Sequence, residues 1–351
     1  MARALRKTLI GAAVLLALGL AWYLTRPEPP ATAPALKHSY SRALKQAHAG
    51  QPGAARVLYQ QLARTDLSAA RRARLYAELP NYPSGRALEF ARADLRHDSQ
   101  LVRNAAIDAV VGLVSASERV SLLGPLLEDG EPDTRFHVAR TLLNLTPEQL
   151  GAYFTPLQAT LDEYVKVLEQ AHDSAPDQAR LADIYIHDGD YQQAELAIRR
   201  VLAGSPGDLD ALVTLAGILD KRGKPDEARE TLAGPLNEHP DSAFLQHELG
   251  QWLLAHDQGE FALLALARAV ELEPDTASYR YDLAVALHAL DQTPAAQQQL
   301  DELVRRHPAN RRARVLLIQY WKETGQLQNV QVLLAELEQQ NADDPALQQG
   351  L

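Results

Sequence analysis

The chain has 351 residues, 46% hydrophobic but only 6% aromatic, and a formal net charge of −10. It contains no cysteine, which excludes disulfides, thiolate metal sites, covalently attached c-type haem and cysteine nucleophiles. Alanine and leucine dominate and strand-forming residues are sparse, so the composition predicts an all-α protein.

Arg3, Arg6 and Lys7 precede an unbroken apolar run from Leu9 to Leu24. As a helix that run rises about 24 Å, and Trp22 and Tyr23 extend it into the headgroup layer of a bilayer whose core is about 30 Å thick. Residues 1–26 are read as a transmembrane anchor whose positive flank stays cytoplasmic and sends the rest of the chain across. A signal peptide cleaved before Trp22 is the alternative. Residues 27–37 contain the run PEPPATAP from Pro27 to Pro34, a stiff, extended spacer.

Residues 38–150 are helical in pattern, with an interval of 32 between Arg71, Arg103 and Arg135. Asp98-Ser99 and Asp129-Gly130-Glu131 precede Val102-Arg103 and Thr134-Arg135, and small and apolar residues follow each pair. An acidic turn suits a helix N-terminus. The pattern resembles the start of the second helix in HEAT-type repeats, which implies that each arginine pairs with the carboxylate of a neighbouring turn. Residues 151–174 contain one joining helix, with Leu157, Leu161, Tyr164, Val165 and Leu168 on its apolar face.

From residue 175 to 344 a strict interval of 34 takes over. It relates Pro206, Pro240, Pro274 and Pro308, then Leu181, Leu215, Leu249, Leu283 and Leu317, then Ala194, Ala228, Ala262 and Ala296. Gly189, Gly223 and Gly325 keep it too, with Asp257 and Asp291 in the two places between. Five units follow: 175–208, 209–242, 243–276, 277–310 and 311–344. In each, a leucine-faced helix ends at the glycine place, where positive φ is available, and a second helix packs through the alanine. This is similar to tetratricopeptide repeats, which implies a superhelix whose first helices line a concave groove for a partner polypeptide. The last unit departs from the pattern, with Val330 at the alanine place, and as a terminal unit it is expected to face water. Residues 345–351 are the tail, and the polar end from Asn341 to Leu351 is expected to fray.

The order of HEAT-like pairs, joining helix and tetratricopeptide units resembles the non-haem part of bacterial multihaem cytochrome fusion proteins. Asn81-Tyr82-Pro83-Ser84 and Arg305-Arg306-His307-Pro308 belong to that likeness. The haem part is missing, so only the scaffold carries over. The resemblance implies a bacterial protein, placed by its anchor in the inner membrane with its bulk in the periplasm.

No phosphate loop, nucleophile elbow or His-Glu-x-x-His helix is present, and no catalytic residue, cofactor or metal is expected. Residues 151–351 carry a net charge of −16, which argues against nucleic acid and for a protein partner with basic segments. The face opposite the leucine core carries Asp183 and His187, then Asp220, then Phe244, His247 and Gln251. It continues with Tyr281, Val285 and His288, and ends with Arg312, Gln319 and Lys322. Phe244 and Tyr281 are its apolar anchors. The Lys/Asn clamp of repeats that hold C-terminal carboxylates is missing, with Gly217, Gln251 and Val285 at one of its places. The expected function is that of a membrane-anchored interaction scaffold. An apocytochrome-binding maturation subunit and an envelope stress or quality-control regulator are the alternatives. Arg311, Arg312 and Arg314 gather at a helix start where the dipole disfavours them, and Asp343-Asp344 is read as a solvated turn.

Overall fold

The computed structural model describes residues 39–170 and 174–348. The expected membrane span and Pro-rich spacer lie outside the described residues. No described helix is long and apolar enough to cross a membrane.

Tyr40–Leu351 gathers into one compact unit. It opens with the pair α1 (Tyr40–His48) and α2 (Ala54–Leu62). Then come α3 (Ala69–Glu78), α4 (Gly85–Asp94), α5 (Gln100–Leu113), α6 (Ala116–Leu123), α7 (Pro132–Leu142), the single turn α8 (Pro147–Leu150) and α9 (Phe154–Gln170). Their starts are set locally. Ser84 accepts from the Ala87 N–H at 3.0 Å, and Ser115 with Glu118 forms a reciprocal capping box.

Five helix pairs follow: α10 (Ala175–His187) with α11 (Tyr191–Gly204), α12 (Leu209–Lys221) with α13 (Pro225–Ala233), and α14 (Ala243–Ala255) with α15 (Gly259–Leu272). The last two are α16 (Ala277–Ala289) with α17 (Thr293–Arg306), and α18 (Arg311–Glu323) with α19 (Leu327–Gln340). A final turn, α20, covers Pro345–Gln348. The first helix of every pair has 13 residues and begins at the first residue of a 34-residue unit. The residue two places after each has positive φ: Gly189 75°, Gly223 73°, Asp257 58°, Asp291 59° and Gly325 74°. The two aspartates thus hold a left-handed conformation that glycine takes at no steric cost. Ala194, Ala228, Ala262 and Ala296 are all 0% exposed, so no larger side chain fits where second helix meets first.

The arginine interval has mixed physical meaning. Arg135 binds Glu163 of α9 at 2.5 Å. Arg103 instead donates to the carbonyls of its own turn, His97 and Asp98, and to Thr134. Arg71 lies over the Tyr40 ring, and the buried pair in that region is Arg72 with Asp94.

The two ends of the array meet, which corrects the expectation of a water-facing last unit and a fraying tail. Gly53 donates its N–H to the Gln339 carbonyl at 2.7 Å, and the Asn341 amide donates to the Pro83 carbonyl at 2.7 Å. Gly50 lies so close to Pro308 and Ala309 that an added Cβ would fall 2.5 Å from the Pro308 carbonyl carbon. The Asn81–Ser84 motif is the knot of this seam. Ser84 donates to the Tyr59 hydroxyl, Tyr59 donates to the Tyr82 carbonyl, and Tyr82 donates to the Ala47 carbonyl. The arginines at the start of α18 serve it as well. Arg311 grips Asp344 through two bonds of 2.6 and 2.7 Å, and Asp344 is 0% exposed rather than solvated. Arg314 is buried and donates to Gln340 at 2.6 Å.

Candidate partner-binding face

The first helices α10, α12, α14, α16 and α18 present one register of side chains. Among the described residues, three His–carboxylate pairs join α12, α14, α16 and α18 in sequence. Asp220 accepts from His256 at 2.8 Å, His247 meets Asp282 at 2.9 Å, and His288 meets Glu323 at 2.8 Å. Each imidazole also lies against a ring, His256 on Trp252 and His288 on Tyr320 at 3.8 Å, and His247 near Tyr279 at 4.7 Å.

His247 is the most enclosed of the three. Its Nδ1 faces Glu248 at 2.8 Å and its Nε2 faces Asp282, so only the imidazolium satisfies both acceptors. Burial is the largest single influence and pulls its pKa down. The hydrogen bonds and charges of Asp282 and Glu248 together overcome burial and carry it to about 9. The hydrogen bond to the Trp252 carbonyl is the largest influence and raises the His256 pKa, desolvation pulls it back, and the hydrogen bond to Asp220 raises it again.

The residues expected on this face therefore divide. Asp220, His247 and His288 are committed to bridges between repeats. Tyr281 is covered by the Arg312 guanidinium at 4.0 Å from its centroid. Gln319 donates to Glu323 at 3.1 Å, and the Gln251 amide lies 3.5 Å from His247. Phe244 is half-buried and Lys322 exposed. Val285, 37% exposed, is the one large hydrophobic exposed on a first helix among the described residues. Asp282, Glu323 and His256 were missed by sequence reasoning. Their signal was an acid and a histidine 35 or 36 residues apart, one unit plus the offset between touching helices.

A cavity of about 990 Å³ opens where the loop after α7 and the start of α9 meet α10. His187 forms part of its wall and is fully engaged. Its Nδ1 donates to the Leu143 carbonyl at 2.7 Å, leaving Nε2 to accept from Gln158 at 3.2 Å. Asp183 is exposed and makes no hydrogen bond among the described residues; partial desolvation raises its pKa while Arg140 draws it back. Partial desolvation likewise raises the exposed Asp188, against the lowering influence of His187.

The tetratricopeptide repeat family profile matches residues 185–249. No curated protein matches the chain. Among solved structures, a MamA protein crystal structure is 20% identical with a TM-score of 0.37, covering 51% of this chain and 92% of its own. The thermophilic TPR protein TTC0263 from Thermus thermophilus is 20% identical with a TM-score of 0.38, covering 50% and 96%. MamA from residue 41 to the end, from Desulfovibrio magneticus RS-1, is 17% identical with a TM-score of 0.33, covering 56% and 98%. The profile match and the helix register together show an all-helical, solenoid-like tetratricopeptide-repeat fold.

Proposed function

We propose that this chain is a protein-interaction scaffold that holds a partner polypeptide along the first helices α10 to α18. The supporting observation is the set of His–carboxylate bridges, which tie successive first helices together and leave Val285, Phe244 and the Gln251 and Gln319 amides in one register. A surface rigid before binding loses little entropy on ordering, and it offers an apolar anchor beside amide groups suited to a main chain. The Leu9–Leu24 run supports anchoring in a bacterial inner membrane, and the positive flank before it supports a periplasmic location for the repeats. The fold type is one of binding rather than catalysis.

The test is quantitative capture from cross-linked membranes of the native host, with the wild type, Val285→Asp and Leu264→Asp in parallel. Leu264 is 69% exposed on the second-helix side, on α15. The reading expects proteins captured by the wild type and by Leu264→Asp to be lost from Val285→Asp. Identical capture by all three contradicts it.

A further inference from the structure

We propose that the described array is two bodies hinged at residues 234–242 and latched by the seam between its ends, so that the latch sets the angle between the two halves of the first-helix face. The consequence for binding rests on the reading that this face holds a polypeptide; the hinge and the latch do not.

The hinge begins with one proline. Residues 201, 235, 269, 303 and 337 hold the same place in the five second helices. Val201, Ala269, Leu303 and Leu337 are buried there, whereas Pro235 is half-buried. A proline has no N–H to donate, and its ring clashes with the carbonyl four residues before it. Helix α13 therefore stops at Ala233 after 9 residues, and a 3₁₀ turn covers Gly234–Asn237. The other second helices run for 14. Asn237 to Asp241 are all exposed. Beside them opens a cavity of about 580 Å³ whose lining includes Gly207, Leu209, Pro240 and Leu245.

The core divides at the same place. One cluster of buried apolar residues runs from Ala47 to Leu232 and a second from Ala243 to Leu333. Across the divide, the half-buried Leu249 and Trp252 of α14 reach the first cluster, and His256 bridges to Asp220. The join along the first helices is kept while the second helix is cut short, which leaves a pivot.

The seam closes the array by other means, since neither apolar cluster spans it. It has the Gly53–Gln339 and Asn341–Pro83 hydrogen bonds and the Gly50 turn against Pro308 and Ala309. Water replaces such bonds when they part, so each adds little net stability. A cavity of about 530 Å³ lies in the seam, with Arg56 and Arg86 from one end and Glu338 and Asp343 from the other, and these four form no ion pair with one another. Arg314 is buried at the seam with its Nε unpartnered, and Tyr82 of the opposite end lies near enough to act on its charge. Taking a charge out of water is costly, so parting the ends recovers hydration there. The first-helix face crosses the pivot between α12 and α14. The closed seam holds the register described above, so a partner lying across both halves and a shut latch favour each other.

The chain has no cysteine, so paired cysteines take spin labels without background. Arg56→Cys with Glu338→Cys spans the seam, and Asp210→Cys with Val285→Cys spans the pivot on the first-helix face. Arg56→Cys with Glu128→Cys, and Glu260→Cys with Glu338→Cys, each lie within one body. Every labelled position is exposed. Double electron–electron resonance on the full chain in detergent reads the distances. Gly50→Ala drives a Cβ into the Pro308 backbone, and Asn341→Ala is the second latch variant. Each is expected to raise the share of a longer seam distance by about three-fold, to shift the pivot pair with it, and to leave both internal pairs unchanged. Pro235→Leu, which restores the helix and the buried side chain, is expected to reverse that rise. In the unlabelled chain the Gly53 amide is expected to show about ten-fold less exchange protection than Leu62 of α2. A seam pair unchanged in both latch variants, or equal protection of Gly53 and Leu62, overturns the latch. Internal pairs that lengthen with the seam pair report unfolding and overturn the two bodies. A long distance indifferent to Pro235→Leu overturns the hinge, and a still pivot pair overturns the control of the face. All four outcomes leave the scaffold reading standing, which only unchanged capture by Val285→Asp removes.

Discussion

The side-chain amide of Asn341 donates to the carbonyl of Pro83 at 2.7 Å across 258 positions of sequence. Both ends of the described array meet at this bond, and Asn341 is 2% exposed. Asn341→Ala leaves the Pro83 carbonyl without its donor. The expected loss is about 1–3 kcal/mol of unfolding free energy, the cost of an orphaned buried acceptor. Urea denaturation measures it, and an unchanged midpoint would count against a closed array.

Gly50 and Gly53 make a sharper pair of tests. Both have positive φ, 59° and 73°, so either alanine variant carries a backbone cost of about 1–2 kcal/mol. At Gly53 the new Cβ meets only the end of Gln46 at 3.8 Å, whereas at Gly50 it collides with the backbone of Pro308 and Ala309. Gly50→Ala is therefore expected to destabilise the chain clearly more than Gly53→Ala and to speed amide exchange at Gly53 N–H. Equal thermal shifts for the two variants would show that Gly50 does not pack against the turn at Pro308 and Ala309.

Asp257 and Asp291 stand where three other repeats have glycine. Replacing either by glycine removes a left-handed strain of about 1–2 kcal/mol at a backbone entropy cost of about 0.5–1 kcal/mol. Each of Asp257→Gly and Asp291→Gly should stabilise by about 0.5 kcal/mol. Calorimetry checks this, and a fall in midpoint for both would contradict it.

His247 gives the array a pH dependence of fixed sign. Its folded pKa is raised to about 9, above the unfolded value of about 6.5. The folded state thus holds its proton more tightly. Its stabilisation is complete below pH about 6.5 and is lost as pH rises through about 9. His256, also raised, acts in the same direction. Urea midpoints should fall across that window, and His247→Gln should flatten the fall. A slope unchanged in His247→Gln would place the titration elsewhere.

The sequence interval was enough to locate the first helices, because a helix pair that buries its leucine and alanine faces repeats wherever those residues do. It also marked Asp257 and Asp291 as turn positions. It could not reveal the seam. Whether the end of α19 returns to α2 depends on small rotations summed over the whole array, and no spacing records them. Asp344 therefore read as a solvated turn acid and Arg311 as a misplaced cation, although each satisfies the other. At the candidate face, Asp220, His247 and His288 were legible as facing residues. Their engagement was not, since a bridge needs the offset between helices as well as the interval along the chain.

A polypeptide partner is proposed to lie on the first helices. A photo-reactive residue at Val285, compared with one at Val332, 62% exposed on α19, tests it most directly in living cells of the native host. Protein adducts from Val285 and none from Val332, with Val285 adducts reduced by Phe244→Ala, are the predicted result. Adducts from Val332 alone would place the partner on the second helices and contradict the account.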